Sequence, residues 1–190
     1  MAAWTPILSS FALVAASEMG DKTQLLAFSL AARFRRPWTV MAGILVATVA
    51  NHTLAATVGV WIAARVAPQV MAGVLGATFI LFGLWTLKPD TLDDQQKPSR
   101  FGPFLTTTAL FFLAEMGDKT QLATVALAAR YQSALSVTIG TTLGMLVADG
   151  LAVAIGDRLA ARVQSRWVRF VSAGLFFLFG GLSIWAALHR

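Results

Sequence analysis

The sequence predicts an all-α integral membrane protein of six transmembrane helices, arranged as two inverted three-helix repeats. Three observations carry this. Of 190 residues, 57% are hydrophobic and 13% charged, against about 25% charged in an average soluble domain. Six apolar stretches come near or exceed the roughly 20 residues that a helix needs to cross a hydrocarbon core of about 30 Å. A charged segment of eight residues also occurs twice, in the first and fourth stretches, at an offset of 97.

The elements follow in order. The first span, about residues 4–32, has no Lys or Arg before it and runs well past any processing site, so it reads as a permanent helix and not a secretory leader. The second, about 38–64, holds Asn51 and His52, and the third covers about 66–87. Lys88 to Arg100, with Pro89, Asp90, Asp93, Asp94, Lys97 and Pro98, reads as a polar linker (88–100) between a first repeat, 1–87, and a second, 101–190. The fourth span, about 101–129, carries the second motif, the fifth, about 133–156, holds Asp149, and the sixth covers about 170–188. Asp157, beside Arg158, reads as a loop residue. Trp4, Trp38, Trp61, Trp85, Trp167 and Trp185 lie toward span ends, as interface anchors do. Gly140 with Gly144, and Gly180-Gly181, permit close helix packing.

Basic residues orient the chain. Arg33, Arg35, Arg36, Lys88, Lys97, Arg100, Arg158, Arg162, Arg166 and Arg169 fall in the odd-numbered gaps, and Arg65, Arg130 and Arg190 on the other side. The positive-inside rule then puts both termini outside the cytoplasm. The net charge of +6 is explained by lipid headgroups beside these gaps, with no need for a nucleic-acid partner.

Glu18-Met19-Gly20-Asp21-Lys22-Thr23-Gln24-Leu25 recurs letter for letter as Glu115-Met116-Gly117-Asp118-Lys119-Thr120-Gln121-Leu122, and 21 of the 49 positions from Glu18 to Val66 are identical at the same offset. Each copy contains three spans. Three is odd, so the second copy enters the membrane from the opposite side, an arrangement that puts substrate sites near midplane at the repeat interface.

Glu18 and Glu115 each fall halfway along a 29-residue stretch. A charge at that depth costs at least about 2.5–3.5 kcal/mol, so a cluster there marks an ion pathway by default. At 100° per residue, Glu18, Asp21 and Lys22 are expected on one side of a helix at i, i+3 and i+4, and likewise Glu115, Asp118 and Lys119. Four carboxylates and two ammoniums leave a charge of −2, which suits one divalent cation. Carboxylates with the amides of Gln24 and Gln121 are hard oxygen donors, suited to Ca²⁺, Mg²⁺ or Mn²⁺. The chain has no cysteine and two histidines, which excludes disulfides and thiol catalysis and argues against copper and zinc. Gly20 and Gly117 lower helix propensity by about 1 kcal/mol each and allow the backbone to unwind, as in the broken helices of transporters. Asn51 and Asp149 join as candidate ligands. His52 aligns with Asp149 at the 97 offset. A structural role for two buried Glu-Lys pairs is disfavoured, because such pairs stabilise poorly against apolar alternatives. No phosphate loop, His-Glu-x-x-His helix or serine nucleophile motif is present, and no cofactor is expected.

The paired Glu-x-Gly-Asp-Lys-(Thr/Ser) motifs, one per three-helix half with a short polar linker between, resemble the manganese and calcium transporter family of bacterial manganese exporters and eukaryotic Golgi cation/proton exchangers. The resemblance implies efflux of Mn²⁺, in some members Ca²⁺, against protons, and implies that Glu18, Asp21, Glu115 and Asp118 hold the cation. The short linker resembles the bacterial members, which implies export across the inner membrane. Two other readings compete: export of another cation such as a cationic amino acid, and an intramembrane aspartyl protease using Asp21 and Asp118. The protease pattern wants Gly where each motif has Glu, and the adjacent lysine works against a shared proton.

Overall fold

A computed structural model describes residues 4–88, 101–155 and 166–189. The expected linker, bar Lys88, and Asp157 with Arg158 lie outside the described residues. The described chain is all helical: α1 (Thr5–Glu18), α2 (Lys22–Phe34), α3 (Pro37–Ala63), α4 (Pro68–Thr86), α5 (Pro103–Glu115), α6 (Lys119–Tyr131), α7 (Ala134–Ile155) and α8 (Arg166–Leu188). Proline opens α3, α4 and α5, where its missing N–H has no intrahelical partner to lose.

Four helices are long and apolar enough to cross a membrane: α3, α4, most of α7 and Phe170–Leu188 of α8. The first and fourth expected spans are not single helices. Each is broken in two by its motif, and the 14 residues of α1 and 13 of α2 rise about 20 Å apiece, short of a hydrocarbon core on their own. Large apolar side chains such as Leu54, Leu81, Leu113 and Leu178 are exposed around the bundle, the surface of a protein whose solvent is lipid. The chain is a multi-pass membrane protein.

The break is local in cause. Gly20 and Gly117 have φ of 81° and 78°, a left-handed backbone that costs other L-residues about 1–2 kcal/mol. Met19 and Met116 before them, and Asp21 and Asp118 after them, are extended. The two other positive-φ residues described, Arg35 and Gln132, also sit 97 apart, each ending a helix with its N–H on Ala31 or Ala128.

Packing follows the same equivalence. α1 packs on α7 as α5 packs on α3, and α2 on α7 as α6 on α3; α3 also meets α7, and α4 meets α8. Two glycines show how close the backbones come. A Cβ on Gly43 would lie 2.8 Å from the Thr107 Cβ on α5, and one on Gly140 would lie 2.9 Å from the Ser10 Cβ on α1, both below any real contact.

Candidate metal centre

The two breaks bring the motif acids together deep in the bundle. Glu18 and Glu115 are fully buried, and Asp21 and Asp118 nearly so. One oxygen each from Glu18, Asp21 and Asp118 lies within 4.8 Å of the other two. Glu115 is within electrostatic reach of Asp118, Glu18, Asp21 and Asp149. The expected helical face is corrected: no continuous helix runs from Glu18 to Lys22, because φ at Gly20 lies on the left-handed side. Glu18 instead ends α1, Asp21 precedes α2, and Lys22 begins it.

The lysines pair across the repeats. Lys119 Nζ donates to Asp21 Oδ1 in a buried contact, and Lys22 Nζ lies 4.0 Å from Asp118 Oδ2 with its side chain 31% exposed. Each motif thus turns its ammonium toward the aspartate of the other, in close contact at Lys119–Asp21 and at 4.0 Å for Lys22–Asp118.

Both glutamines turn back on their own break. Gln24 Oε1 accepts from the Gly20 N–H at 2.9 Å and Gln121 Oε1 from the Gly117 N–H at 2.7 Å. Each amide satisfies a backbone donor freed by the unwinding, which would otherwise be costly in an apolar surrounding. Gln24 Nε2 also donates to the Ala148 carbonyl at 2.8 Å, tying α2 to α7. Asn51 gives its Nδ2 to the Phe112 carbonyl at 3.0 Å, and its Oδ1 has no partner among the described residues.

Threonine had no role in the sequence reading beyond its place in the motif. Thr23 Oγ1 donates to Glu18 Oε2 at 2.7 Å, and Thr120 Oγ1 donates to Glu18 Oε1 from the other repeat. The recurrence of Thr at both motif positions was the available signal. Asp118 caps α6 by accepting from the Gln121 N–H at 2.8 Å. Neither oxygen of Glu115 or of Asp149, all four buried, accepts a hydrogen bond among the described residues. A buried acceptor without a donor is expensive, and a cation or a proton relieves it. His52 is fully buried in α3, with neither ring nitrogen hydrogen-bonded among the described residues.

A multi-pass helical protein that gathers buried carboxylates and ammoniums where two helices break has the build of a membrane transporter for cations. Residues 6–94 and 103–190 match the family described as "Divalent cation/proton antiporter GDT1", and the chain belongs to that family. It is a transporter and not an enzyme, so the protease reading falls away. A Vibrio cholerae protein named "Putative manganese exporter" is 47% identical over 170 residues, covering 89% of this chain and 85% of that protein. A GDT1-like protein of Synechocystis is 31% identical over 97% of this chain and 98% of its own. GDT1-like protein 3 of Arabidopsis thaliana is 32% identical over 90% of this chain and 67% of its own. No solved structure matches.

Proposed function

We propose that the protein exports Mn²⁺ across the bacterial inner membrane in exchange for protons, with Ca²⁺ the competing cargo. The observation that carries this is the buried cluster of Glu18, Asp21 and Asp118 oxygens between two broken helices, with Glu115 beside it. Hard carboxylate oxygens suit Mn²⁺ and Ca²⁺. In this reading the four motif acids are the principal ligands, and Gln24, Gln121, Asn51 and Asp149 contribute oxygens. Asn51 Oδ1 and both Asp149 oxygens, buried without donors, support their part. The glutamine oxygens, each holding one N–H, would use their second lone pair.

The architecture proposed with it is six spans in two inverted repeats, 1–87 and 101–190, joined by the linker 88–100, with both termini outside the cytoplasm. The recurrence of the break, the positive-φ positions and most helix pairings at the same offset supports a pseudo-two-fold relation, which in the membrane plane serves alternating access.

Exchange follows from charge. Leaving several ionised carboxylates empty and buried is expensive, so protons replace the departing metal, and an inward proton gradient drives Mn²⁺ outward. In everted vesicles holding a pH-sensitive dye, with no gradient imposed, added Mn²⁺ is expected to release protons, and the release should vanish in Asp21→Asn and Asp118→Asn. Equal Mn²⁺ transport with no proton movement overturns the antiport. Cells lacking their own manganese exporter should gain tolerance to Mn²⁺ from the chain.

A further inference from the structure

The two motifs are chemically identical, so a difference in their partners arises from what packs around each, and apart from the helix cap that Asp118 makes and Asp21 does not, the differences point one way. The buried lysine, Lys119, sits on the first repeat's Asp21, and both threonines serve the first repeat's Glu18. Glu115 accepts no hydrogen bond among the described residues, and Lys22 stands 4.0 Å from Asp118, partly exposed. Around the first break, Met19 and Gly20 are partly covered, while Met116 and Gly117 are exposed. Helix packing breaks the equivalence at the same place. α8 packs on α1 and α4 on α6, whereas the exchanged pairs, α4 with α5 and α8 with α2, have slight contact at most. A small cavity at the Asp21–Lys119 pair is walled by Thr86 of α4 and Ser172 of α8, and Ser172 Oγ donates to the Ala16 carbonyl of α1.

We propose that Lys22 and Lys119 are alternating counter-cations, each seated in turn on the other repeat's aspartate as the α4–α8 pair rocks between the α1/α6 face and the α5/α2 face. Lys119 is home in the arrangement described here, and the pair closes over it. In the exchanged arrangement Lys22 is buried on Asp118, Lys119 is partly exposed, and Thr23 and Thr120 turn to Glu115. Both lysines are positioning residues: the seated ammonium keeps the metal-free cluster from carrying its full negative charge, and metal entry displaces it. The proposal rests on the transport function above.

The chain has four lysines and no cysteine, so a water-soluble amine-acylating reagent read by mass spectrometry resolves Lys22 from Lys119 in the full chain. In metal-free protein, Lys22 is expected to react about tenfold faster or more, because a lysine held in a buried pair reacts only from the minor population that has released it. Ser172→Leu, a wedge between α8 and α1, should raise the Lys119 rate and lower that of Lys22. Equal rates in the unaltered chain, or a ratio that Ser172→Leu leaves in place, overturn the proposal. If that variant does not fold, Lys119→Gln and Lys119→Arg decide: Gln should bind Mn²⁺ at least as tightly yet turn over about tenfold more slowly or worse, and Arg should restore part of the turnover. Unaltered turnover in Lys119→Gln also overturns it. The labelling ratio needs no metal, so its failure is distinct from a failure of the unaltered chain to move Mn²⁺.

Discussion

Gly20 is a residue whose identity the backbone dictates. Its φ of 81° is open to glycine and costly to alanine, and Gly117 repeats the case with nothing within 4 Å of a would-be Cβ. Gly117→Ala therefore meets no clash, and its cost is conformational, about 1–2 kcal/mol. Thermal unfolding in detergent should show that loss, and transport should fall as the break is deformed; an unchanged melting temperature would mean that the turn relaxes. The acids stand on different ground. Each of Glu18, Asp21, Glu115 and Asp118 is buried, and replacement by Ala is expected to abolish export while the protein still reaches the membrane, at a cost in stability for Asp21, whose loss takes the carboxylate from the buried Lys119 ammonium. If two such variants still protect cells from excess Mn²⁺, the proposed ligands are the wrong ones.

Among the elements, the four half-length helices matter most to the chemistry. A helix interrupted at its middle presents a C-terminal carbonyl end and an N-terminal amide end to the same point, and here two such interruptions face each other. Gln24 and Gln121 make this tolerable by capping the freed glycine N–H groups. Gln24→Leu should thus cost about 1–3 kcal/mol by leaving the partly buried Gly20 N–H without its acceptor, visible as a lower melting temperature, while Gln121→Leu at the exposed Gly117 should cost less. The long helices hold the half-helices in place through close backbone contact. At Gly140 a Cβ would strike Ser10 and the Ile7 carbonyl of α1. Gly140→Val should push α7 off α1 and lower stability by about 1–3 kcal/mol, with Gly43→Val acting alike between α3 and α5.

On the scale of the whole molecule, the proposed exchange has proton and metal share one set of oxygens, and the sign of the pH dependence follows from it. Metal binding displaces protons, so a higher proton concentration opposes it. Apparent Mn²⁺ affinity is expected to fall about tenfold per pH unit for each proton released, over the range where those protons titrate. Equilibrium binding at several pH values checks this, and a flat profile sinks the competition. The slope counts the protons, and so tests whether one divalent cation is exchanged for about two.

What the sequence determined by itself was the helical membrane class, through composition and apolar run length, and the two places where charge is concentrated, through a duplicated motif that composition could not hide. The 97-residue offset was legible because duplication leaves identical letters. Periodicity misled at Glu18 and Lys22: a 3.6-residue repeat assumes an unbroken helix, and Gly20 reads in sequence as a place where the backbone can unwind, without the left-handed turn it takes. Only the tertiary structure decided that Lys119 reaches Asp21 of the other repeat, that both threonines turn to Glu18, and that α4 and α8 lean to one side. Two identical octapeptides contain no difference, so an asymmetry between them arises solely from how the rest of the bundle packs around each.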